Sequence, residues 1–420
     1  MAFKGIKTKT ALVLAGGGLT GAVYEIGALR AIDDLLVDRT VNDFDVYVGT
    51  SAGSLVTSCL ANGITTEQLM RIVDWSAQTI EPIGPKHLFR FDMKEFSRRA
   101  LQWPRVMWGA WSHYLQHLDD MTVFDLLWSL SEGLPAALYD GLALEKYVRA
   151  TFDRVGATNN FAELARKLFI IATDLDTGER RVFGEKDSCD VPISLAVAAS
   201  TALPLVYKPV RVGEKEYVDG GLRGTASLDV AIEAGANLVI CINPLVPFDN
   251  SERTAIPFLG KDGGYLSDKG MQAIASQVSR ITIQAGLHYH IKQLRRAYPE
   301  VDIVLIEPRP DDHQMFFYNV MRYSARRTIA EHGFEAVTLG LAENHRFFRD
   351  ILHRHNIPIN RTLAQSELQE IRQSAYDQEV IKHVLERRTG EDIGVVDKLK
   401  RTLAELEIAL EKRETESATG

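Results

Sequence analysis

The sequence predicts an α/β protein: a mostly parallel central sheet with helices on both faces, a helical cap insert and a C-terminal helical extension. Three observations predict it. A continuous apolar run at residues 11–15, and largely apolar runs at 44–48, 236–242 and 301–306, have the length and composition of buried strands. The first two runs each end in a glycine-rich turn followed by helix-like periodicity, the order of a β-α unit. The interval of about 67–160, and the chain after residue 341, are helical in pattern and lack a strand signal. Residues 1–340 are therefore read as one domain carrying the insert, and 341–420 as a helical region.

Composition narrows the class. With 420 residues, 45% hydrophobic and 25% charged, the chain is long enough for a large core and ordinary for a soluble globular protein. A net charge of −8 gives no global attraction to nucleic acid or an anionic membrane, so any membrane contact is local. Cys59, Cys189 and Cys241 are odd in number and far apart, which suits reduced thiols in a cytoplasm-like compartment. The apolar run after Lys4, Lys7 and Lys9 is too short for a signal peptide, and no stretch approaches ~20 apolar residues. The expectation is a cytoplasmic protein with no span and no export signal.

Taken in order, the run at 11–15 is a strand. Gly16-Gly17-Gly18-Leu19-Thr20-Gly21 follows, then a helix over 22–36. The glycine spacing admits two readings: a dinucleotide fingerprint, or a loop whose N–H groups cradle an oxyanion. A dinucleotide site wants an acid ending the second strand. Here the second strand instead runs into Val48-Gly49-Thr50-Ser51-Ala52-Gly53-Ser54. A serine in G-x-S-x-G sits on a sharp strand-to-helix turn, lifted clear of the sheet beside free N–H groups. Two such turns in consecutive β-α units lie side by side at one sheet edge, and together they favour acyl transfer.

The insert holds all five tryptophans: Trp75, Trp103, Trp108, Trp111 and Trp128. Within 85–112, Lys86, Arg90, Lys94, Arg98, Arg99 and Arg105 face only Asp92 and Glu95. Tryptophan among cations suits a bilayer interface. The competing reading is a cap whose tryptophans pack on the core. If the cap meets membrane, 107–111 is the part expected in the open.

Further along, Glu216-Tyr217-Val218 reads as one arm of a hairpin with 206–212, turning at Gly213. A strand at 236–242, a loop over 248–268, a helix over 270–294, a strand at 301–306 stopped by Pro308 and Pro310, and a helix over 321–339 complete the domain. In the tail, Val396, Leu399, Leu403, Leu406 and Leu410 have heptad spacing, for a helical hairpin or a seam between two copies. Residues 414–420 read as disordered.

Four ordered blocks carry a resemblance. Gly-Gly-Gly-x-x-Gly with Gly-Thr-Ser-Ala-Gly, Ile171 to Gly178, Ala198-Ala199-Ser200-Thr201-Ala202-Leu203-Pro204, and Asp219-Gly220-Gly221 together resemble the patatin-like phospholipase family. The resemblance implies a three-layer α/β/α patatin-like fold and a Ser-Asp dyad, with Ser51 as nucleophile and Asp219 as base. It puts the oxyanion hole at the N–H groups of Gly16, Gly17 and Gly18. Gly49 and Gly53 flank the nucleophile, and Gly21, Gly220 and Gly221 support the turns. Independently, a partly desolvated carboxylate is a stronger base than one in water, which suits Asp219. A triad through His288, His290, His313 or His332 finds no turn motif to hold the histidine, and His353-x-His355 lacks the partners of a metal site.

The resemblance has two departures. Thr20 stands where phospholipid-cleaving members often carry Arg or Lys, and Thr225 and Ser227 stand where Asn and Pro are common. The first leaves neutral esters open; the second makes Thr or Ser an N-cap for the next helix. The expected activity is a serine-dependent lipid acyl hydrolase of phospholipase A or lysophospholipase type, working through an acyl-enzyme without cofactor or metal. The alternatives are a neutral acylglycerol lipase or esterase, and a membrane-associated regulatory protein with little turnover. Expected partners are a membrane-presented ester and the bilayer itself at the cap, no nucleic acid, and a second copy through the C-terminal helix.

Overall fold

β1 (Thr10–Leu14) and β2 (Val46–Thr50) are buried at every residue, as their unbroken apolar runs require. A computed structural model describes residues 8–74, 81–117, 122–131, 133–224, 226–251, 264–317 and 321–387. The remaining strands are β3 (Ala137–Tyr139), β4 (Lys167–Asp174), β5 (Arg180–Phe183), β6 (Leu205–Tyr207), β7 (Val210–Val212), β8 (Lys215–Asp219), β9 (Leu238–Ile242) and β10 (Asp302–Ile306). Eight of the ten strands form one sheet, in the order β10-β9-β1-β2-β4-β8-β7, with β5 also paired to β4. The β10, β9, β1, β2 and β4 neighbours run parallel, while β5, β7 and β8 join antiparallel. The result is three layers, a mostly parallel sheet between two sets of helices, with extra helices after the sheet.

The alternation along β1 divides the core into the two outer layers. Leu12 and Leu14 pack with α1 (Gly18–Leu35), α2 (Ala52–Ala61) and the Arg326–Glu343 helix. Ala11 and Val13 point the other way, against the Leu228–Glu233 and Met271–Ala297 helices. Where α1 crosses the Arg326–Glu343 helix, both chains are glycine. A Cβ on Gly27 would stand 2.1 Å from the Ala330 carbonyl oxygen, and one on Gly333 2.7 Å from that of Tyr24.

Residues after 340 form helices His345–Arg354, Thr362–Gln373 and Gln378–Glu386, and their Ile351, Ile371 and Val384 join the same core as α1. Arg30 of α1 is fully buried there. It pairs with Asp34 and Glu367 and donates to the carbonyls of Val384 (3.4 Å) and Arg387 (3.2 Å).

Some expectations need adjustment. α1 starts at Gly18, because the glycines themselves open the helix. The hairpin arm is β7 alone. Val206 belongs to β6, which pairs parallel with β3. Pro209 lies between them and has no N–H for a ladder. The cap contains a 24-residue helix, Met93–Gln116, with Leu101 84% exposed and Trp108 77% exposed. Met107, Trp111 and, on the Val123–Ser131 helix, Trp128 are exposed as well, so these tryptophans are not core. Trp75, Thr225, most of the 248–268 loop, the 396–410 heptads and the 414–420 tail lie outside the described residues. Among the described residues no helix is long and apolar enough to cross a membrane.

Candidate active site

The site is assembled by β4. Its first half pairs in parallel with β2, placing Thr50 opposite Ile171. Its second half pairs antiparallel with β8, placing Ala172 opposite Asp219. Ser51 and Asp219, 168 positions apart, therefore meet over one short stretch of β4. Ser51 Oγ donates to Asp219 Oδ2 at 2.5 Å.

Each side chain is held by its turn. Ser51 has φ 53° and ψ −131°, backbone that a side-chain-bearing residue adopts only under constraint. Ser200 supplies part of that constraint. Its hydroxyl accepts the Ser51 N–H at 2.9 Å and donates to the Ile171 carbonyl at 2.5 Å, fastening the elbow to β4. The elbow also needs bare glycine. A Cβ on Gly53 would lie 2.7 Å from the Leu14 carbonyl oxygen, and one on Gly49 2.1 Å from Thr57 Oγ1. Asp219 is fixed at both ends. Its Oδ1 accepts the Gly221 N–H at 2.8 Å, and its carbonyl accepts Thr173 Oγ1 at 3.1 Å. Burial pushes the Asp219 carboxyl up from 3.8 to about 6, against the Ser51 and Gly221 hydrogen bonds.

The glycine loop lies against this pair. Gly16 has φ 82°, and a Cβ there would stand 2.4 Å from the Thr50 carbonyl oxygen. The first bond of α1 runs from the Gly21 N–H to the Gly17 carbonyl at 3.1 Å. The N–H groups of Gly17 and Gly18 thus precede the helical ladder and lack a partner within it. Gly16 differs. Its N–H donates to Glu25 Oε1 at 3.0 Å, so it is engaged away from Ser51, contrary to the expected three-glycine cradle. Thr20 is buried and contributes no cation to the loop.

Ser51, Asp219, Gly17 and Gly18 open into a cavity of about 590 Å³ whose walls include Leu19, Leu55, Leu88, Leu144 and Leu203. An apolar chamber of that size accommodates an acyl chain. None of the described histidines lines it. His288 faces Glu307, His332 faces Asp312 and His355 faces Asp302. Ser227 stands at the N-cap position of the Leu228–Glu233 helix, yet its hydroxyl accepts from Arg180 at 3.3 Å and makes no cap.

Sequence reasoning does not single out Glu25, and misses the role of Ser200. Glu25 is 0% exposed, with Oε2 unpartnered. Burial raises its carboxyl from 4.5 to about 8, only partly offset by the Gly16 N–H. Its proton is thus held more tightly in the folded chain than in the unfolded one. The associated stability is complete below pH 4.5 and drains away as pH rises through 8. Glu25→Gln is neutral at every pH and keeps an acceptor for Gly16. In urea unfolding at pH 9 it should exceed the wild type by on the order of 1 kcal/mol or more, and the gap should close at pH 5. A constant difference between the two proteins across that range would sink the assignment.

Residues 12–232 match a family model described as patatin-like phospholipase. The probable lipid hydrolase 463L of Invertebrate iridescent virus 6 is 21% identical over 222 residues, 53% of this chain and 63% of its own. Protein R571 of Acanthamoeba polyphaga mimivirus is 25% identical over 212 residues, 50% of this chain and 57% of its own. The chain thus spans about three fifths of the length of these relatives. Among solved structures, VipD from Legionella pneumophila aligns with a TM-score of 0.35 at 13% identity, covering 80% of this chain and 67% of that one.

Proposed function

The chain belongs to the patatin-like phospholipase family, and from that premise we propose that it is a lipid acyl hydrolase of phospholipase A or lysophospholipase type, with Ser51 and Asp219 as its dyad. The observation that carries this reading is the Ser51–Asp219 hydrogen bond at the wall of a largely apolar cavity. A serine hydroxyl needs a base to become a competent nucleophile, and Asp219 is the group that accepts the Ser51 Oγ proton among the described residues.

As Oγ attacks the ester carbonyl, Asp219 takes its proton. The oxyanion forms beside the N–H groups of Gly17 and Gly18, and such donors are worth several kcal/mol in a water-poor site. Collapse expels the alcohol, which takes the proton from Asp219, and leaves an acyl-Ser51. Water then attacks with Asp219 again as base, releasing the fatty acid and restoring Ser51. Every proton is accounted for by this one carboxylate, so no metal or cofactor enters the scheme.

The exposed Leu101, Trp108 and Trp111 share the Met93–Gln116 helix with Arg98 and Arg105, and Trp128 adds to the cap's exposed apolar side chains. Aromatic rings among cations support a cap that rests on an anionic bilayer and feeds the cavity.

The test is fatty-acid release from lysophospholipid, diacyl phospholipid, acylglycerol and short p-nitrophenyl esters, measured across pH. Because the base must be ionised, kcat/KM should rise with pH to a plateau, with a midpoint near 6. Activity is lost as pH falls through that value. A midpoint near 4 would mean that Asp219 is not a desolvated base, and no turnover of any ester would remove the hydrolase reading.

A further inference from the structure

Arg280 lies on the Met271–Ala297 helix, is 3% exposed, and lines the same cavity as Ser51. Its Nη1 donates to the Val246 carbonyl at 3.1 Å and its Nη2 to the Met315 carbonyl at 2.8 Å. The guanidinium carbon stands 5.4 Å from the centre of the Phe316 ring. Two of five N–H donors are thereby fixed, and both partners are neutral. Among the described residues no carboxylate pairs with it. Asp312 acts on it from longer range and is itself hydrogen-bonded to His332 at 2.6 Å.

The contrast with Arg30 is informative. That buried arginine has Asp34 and Glu367 against it. A buried cation without a counterion is costly, and proteins ordinarily pair it or avoid it. Burial lowers the Arg280 guanidinium to about 10, which still leaves it charged at neutral pH. An unpaired cation of this kind, in the wall of a substrate cavity, is suited to an anion that arrives with the ligand.

The rest of the lining agrees. The charged side chains among the described residues of the wall are Asp219, Lys269 and Arg280. Asp219 is occupied by Ser51, and Lys269 lies 5.5 Å from the centre of the Phe317 ring. A cationic headgroup would find no carboxylate here but the base itself. The glycine loop offers no cation either, since its fifth position is the buried Thr20.

We infer that Arg280 is the anion subsite of this cavity, so that the preferred esters carry a net negative headgroup rather than a zwitterionic or neutral one. For turnover this rests on the hydrolase reading; for binding it does not. Arg280 is a specificity residue, supplied from the Met271–Ala297 helix in place of a cation in the glycine loop. The rival role is a strut that only pins Val246 and Met315 to this helix.

Dihexanoyl lipids dissolved as monomers separate the two roles, because recruitment of the cap to a charged surface then plays no part. The readout is the ratio of kcat/KM for dihexanoylphosphatidylglycerol over dihexanoylphosphatidylcholine. Both lipids carry the phosphodiester, but phosphatidylcholine adds an ammonium that Arg280 repels and no wall carboxylate other than Asp219 offsets, so wild type should favour the anionic lipid by about tenfold or more. Arg280→Met should bring the ratio close to one, and Arg280→Lys should restore part of it. A strut would lower both rates together and leave the ratio where it was, and that result overturns the inference, as does a wild type with no preference. The second arm is calorimetric binding of the same two lipids to Ser51→Ala, which needs no turnover and no change at Arg280. Selective binding of the anionic lipid supports the subsite even if the wild type proves inert, in which case the hydrolase reading alone has failed. Equal affinity, or no binding of either lipid, overturns the subsite.

Discussion

Ser51→Ala and Asp219→Asn should each lower kcat/KM for ester hydrolysis by at least about 10³-fold, with thermal unfolding midpoints close to wild type. The two fail for different reasons. Alanine removes the attacking oxygen. Asparagine keeps the shape of Asp219 and its acceptor for the Gly221 N–H at 2.8 Å, but it cannot take the Ser51 proton. Labelling by an organophosphonate probe sharpens the comparison. Mass spectrometry should find the probe on Ser51 in the wild type, on nothing in Ser51→Ala, and only slowly in Asp219→Asn. Activity surviving in Asp219→Asn would point to a different base and would dismantle the dyad, whatever the serine variant showed.

Gly27→Ala should cost roughly 3 kcal/mol of stability, although helix propensity alone favours alanine by about 1 kcal/mol. The contact reverses the sign. The new methyl would meet the Ala330 carbonyl oxygen at 2.1 Å and the Phe334 nitrogen at 2.8 Å, both backbone atoms of a packed helix that cannot step aside cheaply. The control is Gly109→Ala on the exposed Met93–Gln116 helix, where a Cβ meets nothing within 4 Å and alanine should stabilise. Urea unfolding of both variants decides the matter. If the two shift the midpoint in the same direction, the close crossing of α1 and the Arg326–Glu343 helix is not what Gly27 is there for.

Much of the fold is legible in the order of the residues, for a physical reason. A buried strand announces itself by a short apolar run, and a sharp turn by the glycines its backbone requires. Both signals are local. They reveal β1, β2, β9, β10 and the two turns that carry Gly17, Gly18 and Ser51. Asp219 is legible only through its motif, since nothing near it in sequence says that β4 will pair with β2 along one half and with β8 along the other. Glu25 and Arg280 give no signal. Each sits in a helix among ordinary neighbours, and what distinguishes them is the absence of a partner after folding: an unpaired Oε2 in one case, a missing carboxylate in the other. Ser200 stands inside the Ala198–Pro204 block, but its task of tying the elbow to the Ile171 carbonyl is a tertiary fact. The cap is the opposite case. Composition allows two placements for its tryptophans, and it takes the fold to show that Trp108, Trp111 and Trp128 stand exposed rather than in the core.

The arrangement around β4 makes the pairing of Ser51 with Asp219 sensitive to length. Ser51 and Asp219 are brought together by the strand between them, through Thr50 opposite Ile171 and Ala172 opposite Asp219. Insertion of a single residue at that junction would turn Asp219 to the other face of the sheet while leaving every named side chain in the gene. A descendant altered in that way would keep each recognisable motif and lose the Ser51–Asp219 hydrogen bond. Counting letters would pass it as intact, because the Ser51–Asp219 contact is encoded in a spacing as much as in two amino acids.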